Sequence, residues 1–416
     1  TMSFYTSLTG LNAAAAELSV ASNNIANSST SSFKRSTVAF GDIFASSASS
    51  NSSTAMGGGV ALIGVNQEFS QGGLELSSNA LDVAITGDGF FPMASADGSE
   101  LYTRNGAFML DDNNRVVNSS GHSVQVHPLT ATGVSDFNQA MIGLEVKRSL
   151  VAKPTSVVGL DIKLPDAAAV IGVAGATAID PTDATTYSES QTMTLYDDAG
   201  EAYTATVYYQ KIGSDVANGA AVEDQWRAAI YIADETVASN TIEFNFDQTG
   251  AIVAPIAAQT IAASAVDART TAITVNFTAV SHNKTFKIAG QEQDGLPPGQ
   301  LVNINIAENG AVVSTYSNGV QQTSGIINLA TFNSPQGLSQ QGNTIYSATG
   351  DSGTRSFSEP GSQGTGTLAG GAKERSNVDL TEELVNLISA QRNFQSNAKA
   401  METSGTLTQT LINMRG

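Results

Sequence analysis

Apolar positions recur in alternating steps of three and four at both ends of this chain, and no other feature narrows its possible folds so far. Leu380, Leu384, Leu387, Gln391, Phe394, Ala398, Met401, Gly405, Thr408 and Ile412 follow that spacing near the C-terminus. It predicts a long helix carrying the seam of a coiled coil. Asp379 is placed to cap the first amides, and Glu382, three residues on, stands where a capping box would set it. Leu8, Leu11, Ala15, Leu18, Ser22 and Ile25 repeat the spacing at the N-terminus, and Asn27 followed by serines ends that helix. The two terminal segments are expected to pair.

The seam is weak. Ala15, Ser22, Gln391, Ala398, Gly405 and Thr408 occupy positions where a strong zipper carries Leu or Ile. Two such helices alone bury too little apolar surface to offset the ordering of the chain. At ~1.5 Å per residue the C-terminal helix reaches on the order of 50 Å, too long to lie across a compact domain. A two-helix stalk is the plainer reading. The sharper one is a subunit whose ends gain order as many copies pack, with Leu8, Leu11, Leu18, Ile25, Leu380, Leu384, Leu387, Phe394, Met401, Leu411 and Ile412 as the candidate assembly interface.

Composition narrows the function classes. With 416 residues there is room for two or three domains. Cysteine is absent, which removes disulfides, thiolate metal sites and cysteine nucleophiles together. No run of eighteen apolar residues exists, so no membrane-spanning helix is expected. Lys34 and Arg35, the first basic residues, stand behind the apolar positions, so the order of a secretory signal peptide is not met and export by another route is expected. A formal charge of −19 argues against a nucleic-acid partner. In the C-terminal segment Lys373, Arg375, Arg392, Lys399 and Arg415 balance Glu374, Asp379, Glu382, Glu383 and Glu402. The acidic excess therefore falls to the middle of the chain as a solvated outer surface, and the ends avoid mutual repulsion.

Between the helices the period becomes two. Ser28 to Gly59 is rich in Ser, Thr, Asn and Gly, with Phe33, Val38, Phe40, Ile43 and Phe44 as apolar anchors, and reads as an arm that finds order against a neighbour. Leu81, Val83 and Ile85 alternate with Asp82, Ala84 and Thr86. Phe108-x-Leu110 with Asp111 to Asn114 and Val116-Val117 is echoed by Phe244-x-Phe246 with Asp247 to Gly250, and by Ile304-x-Ile306 with Asn309-Gly310, a two-residue hairpin signal. Recurring hairpins predict β-sandwich or barrel domains without crossover helices. Residues 149–291, richer in Ala, Thr and Asp and holding Trp226, read as an inserted β domain. Ser352 to Gly371 reads as a second flexible stretch. The expected fold is multidomain: a terminal helical domain from 1–30 and 376–416, linkers 31–70 and 352–375, a first β domain from 71–148 and 292–351, and the inserted domain 149–291 nested within it.

Nothing in the chain points to catalysis, a cofactor or a metal. His122 and His127, five apart on a strand, face opposite sides and read as surface or turn histidines, as does His282. Asp111 to Asn114 lacks the ligand spacing of a calcium loop. Gly57 to Gly59 lacks the lysine of a phosphate loop. Trp226 reads as core.

The termini carry a resemblance. Ser3 to Asn12, Ala21 to Asn27 and Phe33-Lys34 resemble the N-terminal signature of the flagellar rod and hook axial proteins, and Ser376 to Val385, Ser389 to Asn397 and Gln409 to Arg415 resemble its C-terminal counterpart. Gln71 to Leu74, Asn79 to Asp82, Gly87 to Phe91, Tyr102 to Phe108 and Gln293 to Pro297 extend the likeness. A chain this long, with a large insertion, is most similar to the hook members of that family. The resemblance implies a non-enzymatic homopolymer, a curved tube joining rod to filament as a universal joint that transmits torque. It implies uncleaved export through the flagellar type III apparatus to the extracellular hook. The partners it implies are other copies of the chain, a hook cap protein, and the distal rod and hook-filament junction proteins. A distal rod or hook-associated protein is the near alternative. A secreted β-rich adhesin or enzyme is the distant one, and its activity would persist in residues 60–360 alone.

Overall fold

Helices form where the three-four spacing predicts them: α1 spans Met2–Ala26, α2 spans Leu380–Asn413, and the two contact each other. The computed structural model describes residues 2–43, 57–171, 178–213, 224–232, 240–247, 249–254, 257–262 and 272–413. Phe44 and Arg415 lie outside the described residues, as do the side chains of His282, Leu411 and Ile412. Asp379 caps α2, its Oδ1 accepting the amides of Thr381 at 2.8 Å and Glu382 at 3.2 Å. The Glu382 carboxylate pairs with Arg35 at 2.8 Å. Apart from one short 3-10 turn at Pro335–Gly337, the described chain between the helices is strand, turn and loop.

The chain divides into two units. One comprises Thr1–Lys147, Val302–Thr315 and Gln321–Gly416, the other Arg148–Leu301 and Tyr316–Val320. In the first, β1 (Ser36–Asp42) and β2 (Val60–Gln67) pair antiparallel and pack on α1. The described first part of the expected arm, up to Ile43, thus finds order within its own chain, because its strand has a helix beside it. The expected flexible stretch after Ser352 is also paired. Arg355–Ser358 joins Leu329–Phe332, and Thr367–Gly370 joins Val83–Thr86. Its glycines serve close backbone approach instead of freedom: a Cβ on Gly370 would stand 2.6 Å from the Ile306 carbonyl oxygen.

Val83–Thr86 departs from simple alternation. Val83, Ala84 and Ile85 are all buried, and so is Asp82, whose carboxylate receives the Ser77 hydroxyl, Asn79 Nδ2 at 3.1 Å and Lys373 Nζ at 3.0 Å. His127 also differs from the surface reading. It is buried between Phe137 and Phe357, with Nδ1 3.1 Å from the Gln139 carbonyl oxygen.

The recurring hairpins share one loop geometry. Asp111, Asp247 and Ala307 each donate their amide four residues on, to Arg115, Ala251 and Ala311. Asn114, Gly250 and Gly310 take the left-handed conformation, with φ of 64°, 77° and 87°. Three residues separate donor and acceptor each time and the last of them is left-handed, so Asn309-Gly310 does not form the expected two-residue turn. The Asp111 and Asp247 carboxylates brace their loops by accepting two amides each.

In the second unit Glu189–Tyr196, Ala202–Gly213, Asp224–Ile232, Asn240–Phe246 and Ile252–Ala254 form an antiparallel sheet in chain order. A second sheet orders Gln259–Ile261, Ile273–Asn283, Val157–Pro165 and Lys287–Gln293. Leu160, Ile162, Val207, Tyr209, Trp226, Phe244 and Phe246 fill one core drawn from both sheets. Val157–Pro165 and Ile273–Asn283 run parallel, a pairing the hairpin pattern did not predict. Parallel neighbours need a long connection, and here the whole five-stranded sheet lies within it.

Candidate assembly interface

The closest approach of the two helices is at a small residue, and the most buried positions of α1 are small or polar. Gly10, Ala14, Ala21 and Asn24 keep the three-four spacing on one face of α1, and Ala14, Ala21 and Asn24 are buried. A Cβ on Gly10 would lie 2.7 Å from Asn397 Oδ1 of α2, so the helices meet closely there. Glu383 and Ala390, seven apart, are the buried residues of α2 among those described. The residues expected at the seam lie beside this contact. Leu8, Leu11, Leu18, Ile25, Leu387 and Met401 are half-buried. Leu380, Leu384 and Phe394 are 48%, 45% and 37% exposed, next to Val385 at 58% and Ile388 at 48%. Covering such a side chain fully would add on the order of 1 kcal/mol each. The single chain leaves that stabilisation unused.

The helices are rooted in a buried charge cluster that sequence reading passed over. The side chains of Lys34 and Glu374 are 0% exposed, with Nζ 2.7 Å from Oε1. Lys34 also donates to the Ser70 carbonyl at 2.6 Å, and the Gly72 amide donates to the same Glu374 oxygen at 2.9 Å. Arg104 Nε reaches Glu374 Oε2 at 3.3 Å while its Nη2 donates to the Gly87 carbonyl at 2.7 Å. Burial, then the Arg104 guanidinium, lowers the Lys34 pKa below 10.5, and Glu374 opposes the shift. Removing one member would strand an unpaired charge out of water, which makes the cluster a strong determinant of local geometry.

A second ring of contacts surrounds the first. Asn24 and Ser36 exchange two hydrogen bonds, Nδ2 to the Ser36 carbonyl at 2.9 Å and the Ser36 amide to Oδ1 at 3.0 Å, fixing β1 on α1. The Arg35 amide donates to Asn377 Oδ1 at 2.7 Å, and Asn377 Nδ2 donates to the Glu68 carbonyl at 2.8 Å. Arg35 reaches Glu68 at 2.9 Å and Glu382 at 2.8 Å, which fixes the start of α2 against the hairpin. These partners lie in the quoted N-terminal, Gln71, Tyr102 and Ser376 signatures or beside them. Their convergence on Glu374 was not readable because none is adjacent to it in sequence; a lysine and an arginine inside otherwise uncharged motifs were the available signal.

Family models match in four blocks. Residues 4–34 match the flagella basal body rod protein, 84–178 the flagellar hook protein FlgE/F/G D1 domain, 164–296 the flagellar basal body protein FlaE D2 domain, and 369–414 the flagellar basal body rod FlgEFG protein C-terminal. Flagellar hook protein FlgE of Escherichia coli is 35% identical over 100% of both chains, and that of Salmonella typhimurium 36% over 100% of both. The Treponema pallidum protein of the same name is 28% identical over 99% of each. A crystal structure of Helicobacter pylori flagellar hook protein FlgE2 shares the fold, with a TM-score of 0.52 at 14% identity over 71% of this chain and 98% of that one. By full-length likeness the chain belongs to the flagellar hook protein FlgE family, as a structural subunit and not an enzyme.

Proposed function

We propose that copies of this chain polymerise through their terminal helices into the tube of the hook, with the coiled-coil seam completed between subunits. The observation that carries this reading is the half-exposed apolar stripe of Leu380, Leu384, Val385 and Ile388, left uncovered although α2 packs on α1. Leu8, Leu11, Leu18, Ile25, Leu387, Phe394, Met401, Leu411 and Ile412 complete the same interface. The terminal segments 1–30 and 376–416 form the inner layer, with the β domain of 71–148 and 292–351, and the domain 149–291 nested in it, outside. Each added neighbour covers apolar surface, so assembly is cooperative and stabilises the helices by mass action. The tube bends as copies shift past one another, acting as a universal joint between rod and filament. The chain leaves the cell uncleaved through the flagellar type III apparatus and adds beneath a hook cap. Distal rod and junction proteins bound the two ends of the polymer.

Electron microscopy of full-length protein before and after concentration or added salt tests this reading. Wild type is expected to give curved tubes and Leu384→Asp none, since the variant would place a charge in the inter-subunit core. Straight tubes from wild type would favour a distal rod subunit. Normal tubes from Leu384→Asp would overturn the helical interface.

A further inference from the structure

One side of α2 is neither apolar nor satisfied. A polar groove of about 290 Å³ opens between α1, β1 and α2, lined by Glu17, Asn24, Glu382, Glu383, Asn386 and Asn393. Arg35 is the one cation on its wall. It serves Glu68 at 2.9 Å and Glu382 at 2.8 Å, and reaches the nearly buried Glu383 only at 3.9 Å. Glu17, half-buried, has no ion pair or hydrogen bond among the described residues. The groove therefore holds more carboxylate than its own chain neutralises, with side-chain amides ready to accept further N–H groups.

The complementary group sits on the same helix. Arg392 is exposed and has no side-chain partner among the described residues, whereas Lys399, two turns on, is held by Glu402 at 2.7 Å. At ~100° per residue Arg392 shares the outward face of Val385 and Ile388, about a quarter turn from the groove side of α2. Donor and acceptor lie on different faces of one subunit, so their pairing joins unlike surfaces. A contact of that kind does not close on itself in a dimer but propagates, into a ring where the rotation closes and into an open helical array where it does not.

We propose that the groove receives Arg392 of a second copy of this chain. This rests on assembly through the terminal helices and supplies its register. The guanidinium fork suits a site with carboxylates and amide oxygens on several walls, where it can donate to more than one at a time. Its entry offsets part of the groove's excess negative charge and leaves Val385 and Ile388 facing the neighbour.

Cysteine is absent from the chain, so disulfide trapping in full-length polymer tests the pairing. Mild oxidation of the assembled double variant Glu17→Cys/Arg392→Cys is expected to give a ladder of covalent multimers that neither single variant gives. In uncrosslinked protein, Arg392→Glu and Glu17→Arg are each expected to raise the concentration needed for assembly about ten-fold, and their combination to recover most of it. No ladder, together with a combination no better than either single reversal, overturns the pairing. If Leu384→Asp still abolishes tubes in that case, helical assembly stands without this register. If Leu384→Asp assembles normally, both fall.

Discussion

Trp226, Phe244 and Phe246 in the second unit are withdrawn from water, whereas Leu380, Leu384, Val385 and Ile388 on α2 each keep about half of their surface in it. Both regions are built around apolar side chains, so hydrophobicity does not separate them. What separates them is coverage. Trp226 belongs to one sheet and sits in a core that the other sheet helps to fill, while α2 has α1 beside it and little else. The β unit therefore carries its stability within one chain. The helices carry theirs only in part, and they hold the remainder as a capacity for association.

Placing a charge in the uncovered stripe is the most severe way to probe this contrast. Ile388→Asp is expected to abolish polymer in sedimentation while moving the unfolding free energy of dilute monomer by no more than about 0.5 kcal/mol. A matching loss in the monomer would erase the distinction. Glu374→Gln strikes the root of the helices, where Lys34 and Arg104 would lose their shared counter-charge. A loss of about 4 kcal/mol is expected in denaturant unfolding, already present in the monomer. In the β unit, Ile162→Ala opens a cavity in a fully covered core and should cost about 3 kcal/mol, with a melting temperature independent of protein concentration.

The mildest test is acid. Asp294 loses hydration on burial, yet the Ser156 hydroxyl, the Val157 and Ser156 amides and Lys153 together hold its carboxyl well below the usual range. Because the folded-state pKa is depressed, this contribution is fully present above the unfolded value of about 3.9 and is lost as pH falls below it. Asp294→Asn should cost about 1.5 kcal/mol at neutral pH, and the gap between variant and wild type should narrow below about pH 4. A gap that stays constant into acid would show that the charge on Asp294 is not what closes the base of this unit.

The sequence made the ends of the helices legible because caps are local: Asp379 meets the amides of residues two and three positions on. It made Trp226 legible as core from residue type alone, and its strand is buried on both faces instead of alternating. It did not reveal which face of each helix meets the other. A heptad reading weights leucine, whereas the close approach is at Gly10 and the buried apolar positions of α1 are Ala14 and Ala21, whose value lies in how little space they fill. Ser352 to Gly371 was misread for a related reason. Glycine-rich composition describes free chain and tight backbone contact alike, and only the partner strands, Leu329–Phe332 and Val83–Thr86, decide between them. The Lys34, Arg104 and Glu374 cluster joins three segments that no local pattern links.

That cluster also sets a timetable. Lys34 and Glu374 stand 340 positions apart. At a ribosomal rate of ~5–20 residues per second, tens of seconds separate the synthesis of the lysine from that of the only carboxylate it meets. Through that interval the N-terminal segment has no counter-charge for Lys34 and no second helix for α1, with only β1 and β2 there to pack on it. Ala372–Glu374, which carries that counter-charge, pairs with Leu74–Leu76, so the burial of Lys34 must await a segment made near the end of the chain.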